Sequence, residues 1–172
     1  MLRAAVEQRP LPDYAIALGD LLWSQGRVAE AEEQYALVRA IQQLFAANGV
    51  NTDIELALFD ADHGVAPVAT YETARAAYVR RPSIFAADTV AWAAYKAGRI
   101  DDARRFMDEA LRLGTKDARL AYHAGAIAAA AGDALAAEAY LRDAVAMEPA
   151  QSLRYAAAAR QALGELDLAA RR

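Results

Sequence analysis

Two consecutive 34-residue stretches decide how this chain is read: IFAADTVAWAAYKAGRIDDARRFMDEALRLGTKD at 84–117 and ARLAYHAGAIAAAAGDALAAEAYLRDAVAMEPAQ at 118–151. Placed one above the other, Gly98 falls on Gly132, Ala103 on Ala137 and Ala110 on Ala144. With the glycine numbered position 15, two further copies enter the frame, one from Pro12 and a weaker one from Val50. Position 15 then reads Gly26, Gly64, Gly98, Gly132; position 20 reads Ala31, Ala69, Ala103, Ala137; position 8 reads Gly19, Ala57, Ala91, Gly125. Small residues in three columns mark a helical hairpin: position 15 turns the chain, and positions 8 and 20 let two helices approach closely.

Helical periodicity fills the frame. Leu18, Leu21 and Leu22, then Val28, Tyr35, Val38, Ile41, Leu44 and Phe45, recur at three- and four-residue steps, which predicts helices over about 13–25 and 28–47. The pair Asn48-Gly49 stops the second. Pro12 and Ile84 lie 72 residues apart, two periods of 34 plus four, and the extra four are one more turn of that long helix. Further helices are expected over about 53–62, 67–80, 83–97, 101–113, 117–131 and 133–147. Thr52 or Asp53, and Ser83, can serve as N-caps, and Pro67 suits a first turn. Asp60 and Thr73 put polar groups where the frame expects core.

With period, columns and the proline at 149 in place, the chain resembles a tetratricopeptide-repeat protein over nearly its whole length. Blocks such as Asn48-Gly49-Val50-Asn51-Thr52-Asp53 and Ala91-Trp92-Ala93-Ala94-Tyr95-Lys96-Ala97-Gly98-Arg99 are also similar to the C-terminal part of longer bacterial repeat proteins of unassigned role. The resemblance implies an all-α fold, a right-handed α-solenoid of stacked helix–turn–helix units that binds peptides in its concave groove. The expected divisions are 1–9, the remnant second helix of a preceding repeat; 10–49, repeat one with its extended helix; 50–81, a degenerate repeat two; 82–116, repeat three; 117–149, repeat four; and 150–172, a capping helix and tail. In that last division the helix is expected to run from Ser152 to Leu163 with Arg154 and Arg160 outward, to end at Gly164, and to fray over Glu165–Arg172. A chain starting inside a repeat reads as a fragment, or a natural start, of what was a longer array, with Leu2 and Val6 as apolar candidates for dimer or crystal contacts.

Composition narrows the functions. Of 172 residues 56% are hydrophobic, many of them alanine, and 24% charged, so the layered core rests on many shallow contacts. A net charge of −4 with pI near 5.2 and no basic stripe argues against a nucleic-acid partner. The chain has no cysteine, no apolar run of membrane-span length and no signal peptide at Met1-Leu2-Arg3, which points to a cytoplasmic protein without membrane association.

In the resembled family the first helix of each unit lines the concave groove. If positions 4, 7, 8 and 11 face the partner helix, positions 2, 5, 9 and 12 lie about 100° round and face the groove. Those columns hold Asp13, Ile16, Asp20 and Trp23; Asn51, Ile54, Leu58 and Ala61; Phe85, Asp88, Trp92 and Tyr95; and Arg119, Tyr122, Ala126 and Ala129, with His123 beside them. Clustered aromatics and carboxylates make a recognition surface, and an apolar partner with basic residues fits them. The competing reading packs Trp92 and Tyr95 between repeats as core. Replacing both by alanine separates the two, since core residues would take the thermal melt down with them.

A non-enzymatic protein–protein interaction scaffold needing no cofactor is the leading expectation. A second is self-assembly, as a homo-oligomer joined through the N-terminal half-repeat. A third is a metal-dependent enzyme at Asp60 and His63, an i, i+3 pair at a helix end. No phosphate-cradling loop, nucleophile elbow or His-Glu-x-x-His motif occurs.

Overall fold

The computed structural model describes residues 2–49, 53–147 and 153–170, and among these there are ten helices and no strand. They are α1 (Leu2–Gln8), α2 (Pro12–Ser24), α3 (Val28–Ala47), α4 (Asp53–Asp62), α5 (Pro67–Arg80), α6 (Ile84–Lys96), α7 (Ile100–Leu111), α8 (Ala118–Ala130), α9 (Ala134–Ala146) and α10 (Leu153–Ala170). Among the described residues no helix is long and apolar enough to cross a membrane.

Local chemistry sets the boundaries. Ser83 Oγ accepts from Ala86 N at 3.0 Å, Asp117 Oδ1 from Arg119 N at 2.9 Å, and Asp133 Oδ1 from Ala136 N at 3.0 Å, so α6, α8 and α9 each begin on a side-chain cap. Asn48 Nδ2 donates back to Leu44 O at 2.7 Å and closes α3. The turns after α2, α6 and α8 place Gly26, Gly98 and Gly132 at φ of +74°, +73° and +83°, a conformation a Cβ would strain.

Pairs α2/α3, α4/α5, α6/α7 and α8/α9 pack as hairpins, and each touches the next. Where α8 crosses α9, a Cβ built on Gly125 would lie 2.6 Å from Leu141 Cγ, and at the equivalent crossing a Cβ on Gly19 would collide with the Tyr35 ring. Gly164, in α10, has nothing within 4 Å of that position. Gly125→Ala should therefore cost about 1–2 kcal/mol, overpacking outweighing the gain in helix propensity, while Gly164→Ala should add about 0.5–1 kcal/mol. Urea unfolding midpoints of the two variants test this directly. A Gly125→Ala chain as stable as the parent would mean that Leu141 moves aside freely.

The first helices of the hairpins form a layer of their own. Contacts run α2 to α4, α4 to α6, α6 to α8 and α8 to α10, and α10 also touches α2, so the layer returns to its start. The main core cluster joins this layer to α5 and α7, around Trp92, Tyr71, Met107, Leu120 and Ile127, with smaller clusters around Tyr35 and Leu141.

Several expectations change here. Helix α10 does not stop at Gly164 or fray beyond it but continues to Ala170, and Arg154 points inward with its side chain 23% exposed. The 34-residue frame supplies the reason: position 8 of a fifth copy is Ala159, fully buried, whereas position 15 is Leu166, which packs on the Leu141 cluster where earlier copies place a turn glycine. With no turn residue the helix runs on. Arg160 is exposed, as expected. Val6 is 9% exposed and Leu2 packs against the same cluster around Tyr35, so both apolar residues are used within the chain. Asp60 finds its partner in Gln42, whose Nε2 donates to Oδ1 at 3.0 Å, and Thr73 is solvent-exposed rather than core. Residues 50–52, including Asn51 and Thr52, and residues 148–152 lie outside the described residues.

Candidate functional site

The layer of first helices encloses a polar and aromatic centre. Asp62, the last residue of α4, accepts from Trp92 Nε1 at 2.9 Å through Oδ1 and from the Tyr155 hydroxyl at 2.7 Å through Oδ2. Asp20 of α2 accepts from the Tyr35 hydroxyl at 2.8 Å and from Arg154 Nη1 at 3.2 Å. Arg154 Nη2 donates to the Asp62 carbonyl at 3.1 Å, so one guanidinium from α10 spans α2 and α4. Burial, reinforced by Asp62, raises the Tyr155 phenol well above its ordinary value, and burial with Asp20 does the same for Tyr35.

His63 sits below Arg154. Its ring lies 4.4 Å from Tyr35 and 4.2 Å from Phe59, and Nδ1 pairs with the Phe59 carbonyl at 2.8 Å. A carbonyl only accepts, so Nδ1 carries the hydrogen and Nε2 presents its lone pair to Arg154 Nη1, 3.4 Å away.

A second group lies under Tyr155. His123 Nδ1 meets Asp88 Oδ1 at 2.8 Å, Arg119 Nε stands 3.0 Å from Asp88 Oδ2 as an ion pair, and both Asp88 and His123 are fully buried. The His123 ring stacks on Trp92 at 4.1 Å and 11°, and Tyr155 meets it edge-on at 5.2 Å. Trp92 also stacks on Tyr95 at 5.0 Å, beneath Lys96 Nζ at 4.7 Å. Burial lowers the Lys96 pKa.

The expected groove residues thus divide. Asp88, Trp92 and His123 are buried, and Ala61 with them; Asp20, Tyr95, Tyr122 and Arg119 are half-buried around the centre. Ile16, Ile54 and Leu58 are half-buried, with Ile16 on the Tyr35 cluster and Leu58 on the Trp92 cluster. Asp13, Trp23, Phe85 and Ala129 are exposed, Phe85 lying 5.3 Å from the Arg119 guanidinium. The open trough expected of these columns is filled from within by Arg154 and Tyr155 of α10. Column arithmetic missed Asp62, Arg154 and Tyr155. A fifth copy begun at Ser152 would have put the last two at positions 3 and 4, inside the same layer.

No family model, curated protein or solved structure matches this chain. The chemistry of the site therefore rests on its own geometry. Among the described residues no three His, Asp or Glu side chains gather as a metal-ligand set. Asp60 and His63, the pair proposed for a metal, each have a protein partner, Gln42 and the Phe59 carbonyl. What the centre presents is an acceptor pair, Asp20 and Asp62, walled by Trp92, Tyr122 and Tyr35, and it takes a cation and a phenol from one helix turn.

This arrangement makes stability depend on pH. Burial lowers the His63 pKa against the raising effect of its hydrogen bond to the Phe59 carbonyl, with Arg154 acting in the same sense as burial and Asp62 and Asp20 opposing it. The unfolded chain takes up its proton near the ordinary value of about 6.5, and the folded chain resists until lower pH. The stability is fully present above pH ~6.5 and falls as the pH drops below it, because a second ring N–H would point at the Arg154 donor. Melting temperature should therefore decline from about pH 6.5 downward, and more steeply in the parent than in His63→Gln. Parallel slopes would remove His63 from the account.

Proposed function

We propose that the chain is a non-enzymatic protein–protein interaction module, a short right-handed stack of tetratricopeptide-type hairpins whose inner face receives a helix or peptide. The observation that carries this reading is the pair Asp20 and Asp62, which together hold Arg154 and Tyr155 from another helix. Two acceptors from two hairpins, set beside aromatic rings, form a receptor for a basic and aromatic segment. Charged pairs of this kind set orientation and reject the wrong partner, while the rings supply contact area. Helix-in-groove recognition is the matching mode.

The test is a displayed library of helical peptides selected against the full chain and against its Asp20→Asn, Asp62→Asn form. Enrichment of basic, aromatic sequences on the parent, lost on the variant while the circular dichroism spectrum is kept, supports the reading. Equal enrichment on both would remove the inner face as the binding surface.

A further inference from the structure

We infer that α10 is a ligand of the inner face in cis, and that the partner it stands in for is a segment carrying an adjacent arginine and tyrosine. The inference rests on the reading of the chain as an interaction module and names the chemistry of its partner.

Two separable seatings hold α10. Ala159, Ala162, Leu163 and Leu166 belong to the apolar contacts it makes on α8 and α9. Arg154 and Tyr155, in its first turn, make the polar ones, to Asp20, Asp62 and His63 across the layer, with the Tyr155 ring also resting on Tyr122 and His123 of α8. A first turn has no intrahelical acceptors for its N–H groups and opens more readily than a helix interior. The Arg154–Tyr155 turn can therefore leave the centre while the rest of α10 stays on α8 and α9. The vacated site presents Asp20 and Asp62 to a guanidinium and a phenol, flanked by Tyr122 at 5.9 Å from the present Tyr155 ring. Charge and hydrogen-bond complementarity fix the occupant: the Asp20 carboxylate and the Asp62 carbonyl take the guanidinium and the Asp62 carboxylate takes the phenol, so an arginine beside a tyrosine satisfies them and an acidic segment is repelled.

A tethered turn competes at high effective concentration, so an added segment should bind weakly to the parent and far more tightly once the tethered one is blunted. The probe is a labelled peptide with the sequence of residues 152–165, titrated into the full chain and followed by fluorescence anisotropy. Arg154→Ala with Tyr155→Ala should bind it at least tenfold more tightly than the parent, and adding Asp20→Asn with Asp62→Asn should abolish that gain. Equal affinities for parent and double variant, with the helical spectrum retained, overturn the inference. Should the alanine pair lose the fold, Arg154→Lys with Tyr155→Phe keeps most of the bulk. It should bind at least threefold more tightly than the parent, and parity again overturns the inference. If this peptide fails while other basic, aromatic helices bind, the cis-ligand inference falls and the module reading stands; failure of both removes both.

Discussion

Asp88→Ala should lower the stability of this protein by about 3–5 kcal/mol, the cost of leaving buried charge without its partner. Asp88 is fully buried between Arg119 Nε at 3.0 Å and His123 Nδ1 at 2.8 Å, and the side chain of Arg119 is only 23% exposed. Removing the carboxylate strands a guanidinium that cannot give up its proton, and it frees an imidazole held in one tautomer by that carboxylate. For a chain of this size the melting temperature should fall by roughly 10 °C or more. Adding Arg119→Met and His123→Leu to Asp88→Leu should recover much of the loss, because an apolar set of similar volume has no charge to desolvate. A loss below about 1 kcal/mol for Asp88→Ala would mean that water reaches the group in the folded protein.

Trp92→Ala should cost a further large amount, about 3–5 kcal/mol, and the reason is packing rather than charge. The indole is 3% exposed, stacked between His123 and Tyr95, and its Nε1–H is one of the two donors to the Asp62 carboxylate. Truncation opens a cavity and leaves that carboxylate with the Tyr155 hydroxyl alone. Trp23→Ala is the control: at 47% exposure that indole should contribute under about 1 kcal/mol. Urea midpoints with unchanged slopes measure both. If the two tryptophans cost the same, the assignment of Trp92 to the core is wrong. The melt of a Trp92→Ala, Tyr95→Ala chain should accordingly collapse, the outcome belonging to the core reading of those two residues.

The all-helical character was legible because its signals are local. Val28–Ala47 and Pro67–Arg80 occupy the expected residues, since apolar spacing, an Asn-Gly stop and a first-turn proline act within a few residues of themselves. Close helix crossings were legible too, as small residues at Gly19 and Gly125. The centre was not legible. An aspartate on the inner side of a first helix looks the same in sequence whether it faces water or a buried arginine. What decides is Arg154, 134 positions from Asp20, and the return of α10 to α2. Asp88 stands in a groove column and His123 beside one, yet nothing in those columns says that the face they line is covered. Helix α10 differs from expectation for another reason: Gly164 reads as a stop, although the frame puts its turn position at Leu166.

The contact between α10 and α2 bears on how the molecule comes apart. A row of hairpins touching only their neighbours can lose its ends while its middle persists, and its melting broadens into overlapping steps. Here the guanidinium of Arg154 fastens the closing helix to the opening hairpin, so neither end can peel away without disturbing the other. Unfolding should thus be a single concerted event, with near-ultraviolet and far-ultraviolet signals vanishing together, and an Arg154→Ala chain should be the one in which they separate.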